Sequence, residues 1–448
     1  MIDRNHPSAP QLLALSLPTW VFAGYDLARR SFLAAYLSYD LGLPIGVVGW
    51  LVMLAGLASI PAELVAGALC DRGSRQLGAR VLWMACGTAL LVAGGVALLL
   101  LGHSSSVLLI AVALVALVVG WAVCNVTHGA WALEATTNVP ARARIFGLRS
   151  LAGILGGVAF SLLAVVQAGR ALSPFAAIVL AVSIGAPLAH ALLIALVPDR
   201  AAAPARWRRG MLLEPVRLLF ANRGNRRLAA LFALNGAHTA ITGTGYLYLV
   251  RNALALPGWG ATGILVQAIC AAIGIGAAVA FGARWPAERT LRVICGINLL
   301  LAIALIAVRP GQPALLMAWT AAFGLVSAID FMALRVMLGT RLDLAARAGA
   351  TPAPAAAYYA GFHLPFNLCG AIAAGLLLLG YRLAGFDPAL AHGAEQSFYA
   401  VQLVPAICAA TLMAASLVLL IDTPETAKNT FTRNRKAFPV KVHLTEQM

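Results

Sequence analysis

Residues 59–80 read SIPAELVAGALCDRGSRQLGAR. Glu63 stands inside a long apolar run, between LVMLAGLASIPA (51–62) and LVAGALC (64–70). A carboxylate in hydrocarbon is costly, so Glu63 is expected to face protein or a water-filled cavity. Four residues on, at Gly67, the run begins to end. The chain leaves it at Asp71 and Arg72 and turns back through Gly73 and Ser74 toward Arg75.

The rest of the chain has the same character. Of its 448 residues 61% are hydrophobic and 11% charged, against roughly 25% charged in an ordinary soluble domain. Apolar segments of about 20 residues, enough to cross a bilayer, recur from end to end. One soluble core cannot use so many helices that are apolar all round. The net charge of +16 therefore does not imply nucleic acid, because arginines gathered in loops follow from the positive-inside rule. Cys70, Cys86, Cys124, Cys270, Cys295, Cys369 and Cys408 are scattered through apolar segments without a CxxC, and read as small buried hydrophobes. The first apolar segment has no A-x-A-like exit and is too long for a signal-peptide core, so it reads as a retained helix. The Ala-, Gly- and Arg-rich usage points to a bacterial source.

Twelve spans can be drawn: 12–38, 45–70, 81–102, 106–133, 147–169, 174–197, 226–250, 259–282, 290–308, 313–339, 355–381 and 398–421. One set of alternating loops holds Arg72, Arg75, Arg80, Arg142, Arg144, Arg200, Arg206, Arg208, Arg209, Arg284, Arg289, Arg292, Arg341 and Arg347. The other set holds little more than Arg170, Arg251, Arg309 and Arg382. The first set is expected to be cytoplasmic, with both termini beside it. The Ala/Pro/Arg-rich stretch 198–227 parts two sets of six spans and carries a short amphipathic helix near 212–220. The expected organisation is an N-terminal bundle (1–197), a central cytoplasmic loop (198–225), a C-terminal bundle (226–422) and a basic tail (423–448).

Residues 67–75 resemble the loop after the second helix of the major facilitator superfamily, G-x-L-x-D-R-x-G-R. Gly67, Leu69, Asp71, Arg72 and Arg75 match in place, and the second glycine is displaced by one. More specifically, several stretches resemble the glycoside–pentoside–hexuronide:cation symporters, the melibiose permease relatives. They are DLGLPIGVVG (40–49), WAL (131–133), PARARIFGLR (140–149), LNGA (234–237) with YLYLV (246–250), AID (328–330) with Asp343, and the segment from Tyr359 to GFDP (385–388). The resemblance implies an all-α polytopic membrane protein of two six-helix bundles, with substrate held near the midplane between them. It also implies import driven by a cation.

The departures bear on mechanism. The family's second helix carries two aspartates four apart that help hold sodium; here the inner one is Glu63 and the outer one Ser59. The helix-four aspartate that serves sugar falls on Thr127, the helix-eleven lysine on Asn367, and one aspartate ending helix ten on Thr340. What survives by type is Asp26, with a three-residue gap, Trp131 and Arg149.

Each candidate has two readings. Glu63 is a proton or cation site, or a structural partner for a buried arginine. Asp26 with Arg29 and Arg30 forms an i, i+3, i+4 set, which binds substrate or simply lets two arginines cross the membrane. Arg149 contacts hydroxyls or a carboxylate bidentately, or anchors a helix end. Trp131 stacks on a sugar or packs between helices. Thr127 and His128 add hydrogen bonds to solute, or join helices. Asp330 and Arg335, five apart on one helix, are poor partners for each other and look to His238, His363 or Asn367. Asn235 joins the substrate set through LNGA. Tyr246 and Tyr248 read as an interfacial aromatic belt.

The expected function is a secondary transporter of a small polar solute, sugar or glycoside, in a bacterial inner membrane, acting as a monomer. A single carboxylate carries a proton, whereas a sodium cage needs several convergent oxygens, so proton coupling is favoured over sodium. No cofactor or metal is implied, and no Walker, nucleophile-elbow or HExxH sequence points to an enzyme. The alternatives are a proton-linked exporter of amphipathic compounds and a non-transporting receptor or scaffold of the same fold. In a cysteine-accessibility map, single cysteines at Ala205 and Ala255 should label from opposite faces. Labelling from the same face would remove the two-by-six topology.

Overall fold

The computed structural model describes residues 7–72, 79–102, 105–136, 139–198, 214–281, 285–347, 355–388 and 398–421. Among these residues the structure is helical, with twelve long segments. The first, α1, is Ala9–Leu27 continued through Leu33–Ala35 by π turns at Ala28–Phe32 and Tyr36–Asp40. Then come α2 (Ile45–Arg72), α3 (Ala79–Leu100), α4 (Val107–Glu134), α5 (Val139–Gln167) and α6 (Pro174–Leu196). The second half holds α7 (Arg223–Tyr248, with a π turn at Leu249–Ala253), α8 (Gly260–Phe281), α9 (Ala287–Ala304) and α10 (Pro313–Ser327 with Ile329–Arg347). It ends in α11 (Ala355–Leu383) and α12 (Phe398–Ile421). The expected spans fall on these helices.

The surface confirms what the helices are immersed in. Leu100, Leu108, Leu188 and Leu300 are 81%, 70%, 66% and 66% exposed, which suits hydrocarbon and not water. Ten helices are long and apolar enough to cross a membrane. The two that are not, α1 and α7, carry Asp26, Arg29 and Arg30, and Arg226, Asn235 and His238. These two helices lie against each other, so their polar faces are turned away from lipid and need not be apolar.

The halves meet where α2 lies along α11, α5 along α8, and α1 against α7. The α2–α11 contact is backbone-close. A side chain at Gly49 would come within 3.0 Å of the Gly375 carbonyl oxygen, and one at Gly56 within 2.6 Å of Ala371 Cβ. Small residues at membrane crossings permit this approach and the dispersion contacts that follow. The short helix Glu214–Phe220, expected near 212–220, lies on α7 and α11. Its Leu219 is buried, and Asn225 Nδ2 donates to its Leu218 carbonyl (2.8 Å).

One end of the molecule is shared by both halves, and the other is divided. Leu37, Leu41, Tyr248, Leu254, Leu378 and Tyr381 belong to one apolar core that spans the halves at the end away from the termini. Tyr248 Oη donates to the Ala34 carbonyl (2.8 Å) and lies 2.6 Å from Ser38 Oγ. Asn252 bonds Tyr39, Arg251 stacks over Tyr39 (3.9 Å), and Asp387 Oδ1 accepts from the Ile45 amide (3.2 Å) at the start of α2. Tyr246 and Tyr248 are thus 6% and 0% exposed, Tyr248 in the joint between halves and Tyr246 beside Thr320 within the second half (3.4 Å), rather than forming the interfacial belt expected for them. They lie on the α7 face turned to its neighbours, not to lipid. At the terminal end the described cores are separate, one around Phe22, Trp131 and Ile145, the other around Phe232, Leu334 and Phe362.

The structure also reveals an internal repeat. Leu41-Gly42-Leu43-Pro44 after α1 corresponds to Leu254-Ala255-Leu256-Pro257 after α7. In both, a π turn ends with the same pair of amide–carbonyl bonds: Leu41 to Tyr36 and Leu43 to Leu37, Leu254 to Leu249 and Leu256 to Val250. Both second residues have positive φ, 66° at Gly42 and 52° at Ala255. An L-residue there is strained by about 1–2 kcal/mol. Gly42→Ala should lower the thermal midpoint in detergent, as a loss of about 1 kcal/mol, while Ala255→Gly leaves it unchanged or higher. A Gly42→Ala midpoint equal to wild type would refute the matched-turn reading.

Candidate functional site

A central cavity of about 60 Å³ lies between the halves. That holds a few water molecules and no sugar, so solute enters only when the halves part. Its walls come from α1 (Arg29, Arg30), α2 (Ser59), α4 (Trp121), α7 (Thr239, Thr244) and α11 (Phe366, Asn367).

The α1 contribution follows from a π turn. Widening the helix at Ala28–Phe32 puts Arg29 and Arg30 side by side, and π turns within helices recur at functional sites. Asp26 Oδ1 lies 3.6 Å from Arg29 Nη2 and 3.7 Å from Arg30 Nε. Asp26, Arg29 and Arg30 side chains are 35%, 29% and 35% exposed, so solvent reaches them in mid-span. Since the far end is sealed, that access opens toward the terminal end. Arg29 stands 6.0 Å over Trp121, which stacks on Tyr25, and Arg30 stands 5.9 Å over Phe366.

Glu63 meets this set from α2. Its Oε2 accepts from Asn367 Nδ2 on α11 (3.4 Å), a bond between the two halves. It also lies within electrostatic reach of Arg29 and Asp26. Ser59, one turn earlier, is buried; its hydroxyl donates to the Gly56 carbonyl (2.7 Å). The structure therefore places Ser59 and Asn367 on the cavity wall, with Glu63 behind Asn367 and Asp26 behind Arg29 and Arg30. Arg29 and Arg30, known from the sequence only as neighbours of Asp26, become its charged wall. Trp121 was missed, because nothing local separates it from any other aromatic in an apolar helix.

A second cluster lies in the C-terminal half. Asp330, 2% exposed, accepts from Asn235 Nδ2 (2.8 Å) and from the Phe331 amide (2.6 Å). Its helix-seven partner is Asn235, not His238, which packs on Phe323. Arg335 stacks over Phe331 (4.2 Å), and His363 packs on the other side of that ring's neighbourhood with Phe366.

Of the expected substrate- and ion-binding residues only Ser59 and Asn367 line the cavity; Asp26, Glu63, Asn235, Asp330, Thr127, Trp131 and Arg149 sit off its wall. Trp131 is 1% exposed and packs with Leu12, Phe22, Met84 and Ile145. Thr127 is fully buried in α4. Arg149 ties α5 to its neighbours: Nε donates to Thr19 Oγ1 (3.3 Å) and Nη2 to His128 Nδ1 (3.2 Å). His128 Nε2 must then donate to the Leu15 carbonyl (2.9 Å), which fixes its tautomer as neutral with the proton on Nε2. Of the motif residues at the end of α2, Gly67 is still helical, and a side chain there would meet Val126 at 3.6 Å, an ordinary contact. The side chains of Asp71 and Arg72, and all of Arg75, lie outside the described residues.

The family described as "MFS/sugar transport protein" matches residues 16–425. No curated protein matches the sequence. Among solved structures, the nucleoside transporter NupG is similar at 15% identity and a TM-score of 0.63, over 92% of this chain and 99% of that one. A peptide transporter, POT, is similar at 15% identity and 0.63, over 94% and 97%. A bacterial homologue of the lysosomal transporter Spinster, inward-facing and unoccupied, is similar at 17% identity and 0.57, over 92% and 94%. At such identities the structures speak for the fold, while the family match covers nearly the whole chain. The chain belongs to the major facilitator superfamily, as a divergent member of its MFS/sugar transport family, and is a multi-pass membrane transporter of small molecules rather than an enzyme.

Proposed function

We propose that the protein moves a small polar solute, of sugar or glycoside class, by alternating access driven by protons. In this reading the halves are 1–197 and 226–422, joined by a cytoplasmic loop at 198–225. The protein sits in a bacterial inner membrane with both termini, and the basic tail at 423–448, in the cytoplasm. The sealed far end and the divided terminal end then correspond to a state closed to the outside. Solute would meet Ser59 and Asn367 on the cavity wall, with Asp26 behind Arg29 and Arg30. Asn235 and Asp330 would form the C-terminal flank, and Thr127, Trp131 and Arg149 the frame that holds α1, α4 and α5.

The observation that carries the coupling is the Glu63–Asn367 bond across the α2–α11 contact. A proton on Glu63 changes a bond between halves, so protonation and rocking become linked. Proton over sodium is supported by the oxygens: Ser59 bonds its own helix, and Thr127 does not line the cavity. Glu63→Gln keeps shape and removes the titration. It should abolish uphill uptake into proteoliposomes while leaving solute exchange. Sodium-stimulated uptake with no response to a proton gradient would overturn the coupling.

The 67–75 loop would tie the halves together in the opposite state, open to the outside. Asp71→Ala should therefore slow transport at unchanged abundance and thermal stability. A variant as fast as wild type would strip the loop of that role.

A further inference from the structure

Arg29 and Arg30 line the cavity and share one carboxylate oxygen, at distances longer than hydrogen bonds. Asp26 Oδ1, Arg29 Nε and Arg30 Nε are all buried atoms without a hydrogen-bond partner. These three atoms are covered although the side chains that carry them are 29–35% exposed, so each keeps hydrogen-bonding capacity that the pairing with Asp26 does not meet at hydrogen-bond distance. Glu63 is the next carboxylate, and Asn367 already donates to it. With a proton on Glu63, two guanidinium charges face one carboxylate. The described histidine nearest, His363, brings no negative charge.

We propose that the cavity takes a solute carrying one negative charge, a carboxylate, a sulfonate or a sulfate monoester, held by Arg29 and Arg30. Guanidiniums match such planar or tetrahedral oxyanions bidentately. Trp121 and Phe366 back the two arginines and hold their planes, while Thr239 and Thr244 on α7 meet the neutral remainder. The claim that the bound anion is cargo rests on the transporter reading. The charge preference itself does not. If one proton enters on Glu63 with each monoanion, the pair crosses without net charge.

The test is thermal stabilisation of the purified full chain by matched pairs: D-glucuronate against D-glucose, and L-lactate against propane-1,2-diol. The acid of at least one pair should raise the unfolding midpoint, and its neutral mate should not. Arg29→Gln and Arg30→Gln should each weaken the acid's apparent affinity about tenfold or more, the loss of a charge-assisted hydrogen bond. Arg30→Lys, which keeps the charge, should retain part of it and shows that the site still folds. Equal shifts from acid and neutral mates, acid shifts that survive both glutamine variants, or no shift from either acid would each overturn the proposal. Acid-specific binding without flux would leave it standing and remove the transport reading. Flux of a neutral solute without acid binding would do the reverse.

Discussion

The cost of charge in hydrocarbon governs this structure. A lone charged side chain at a helix centre costs about 2.5–3.5 kcal/mol on insertion scales. Asp26, Arg29 and Arg30 put three such groups within one and a half turns of α1. They are tolerable only where α1 turns that face inward, with Trp121 and Phe366 beside the guanidiniums and Glu63 nearby. The demand propagates. Alpha-1 must lie against α7, whose own Asn235, His238 and Thr244 need the same shelter, and the less polar helices form the lipid-facing surround.

The repeat explains how two halves can share one end and part at the other. The π turn, the Leu-x-Leu-Pro sequence and the positive-φ residue occur once after α1 and once after α7. They place Tyr39 and Tyr248 against each other at 5.7 Å, and Asn252 within reach of Tyr39. The seal is therefore built from two copies of one local device. Two-fold repetition makes a rocking joint natural, since each half presents an equivalent surface to the other.

Along α2 the chain moves from this joint to the site. Gly49 and Gly56 allow close contact with α11, then Ser59 lines the cavity, and Glu63 makes the last described bond to that helix. Joint, cavity wall and titratable group thus sit on one continuous helix. A change at Glu63 acts directly on the contact that α2 makes across the molecule, without a relay through other elements.

The sequence by itself determined the class and the spans, because hydropathy and span length are local properties. Glu63 and Asp26 stood out as carboxylates in apolar helices, whereas Ser59 and Asn367 were reached only through the family resemblance. The Leu-x-Leu-Pro repeat became apparent only through the paired π turns, which show the same structure twice. Tertiary structure alone decided which polar groups meet. Asn235 and not His238 reaches Asp330, Arg149 binds His128, Trp131 is packed among apolar neighbours, and Tyr248 closes the joint. The reason is rotational. In helices apolar nearly all round, periodicity does not say which face looks inward, and that angle is set by the small-residue contacts between helices far apart in the chain.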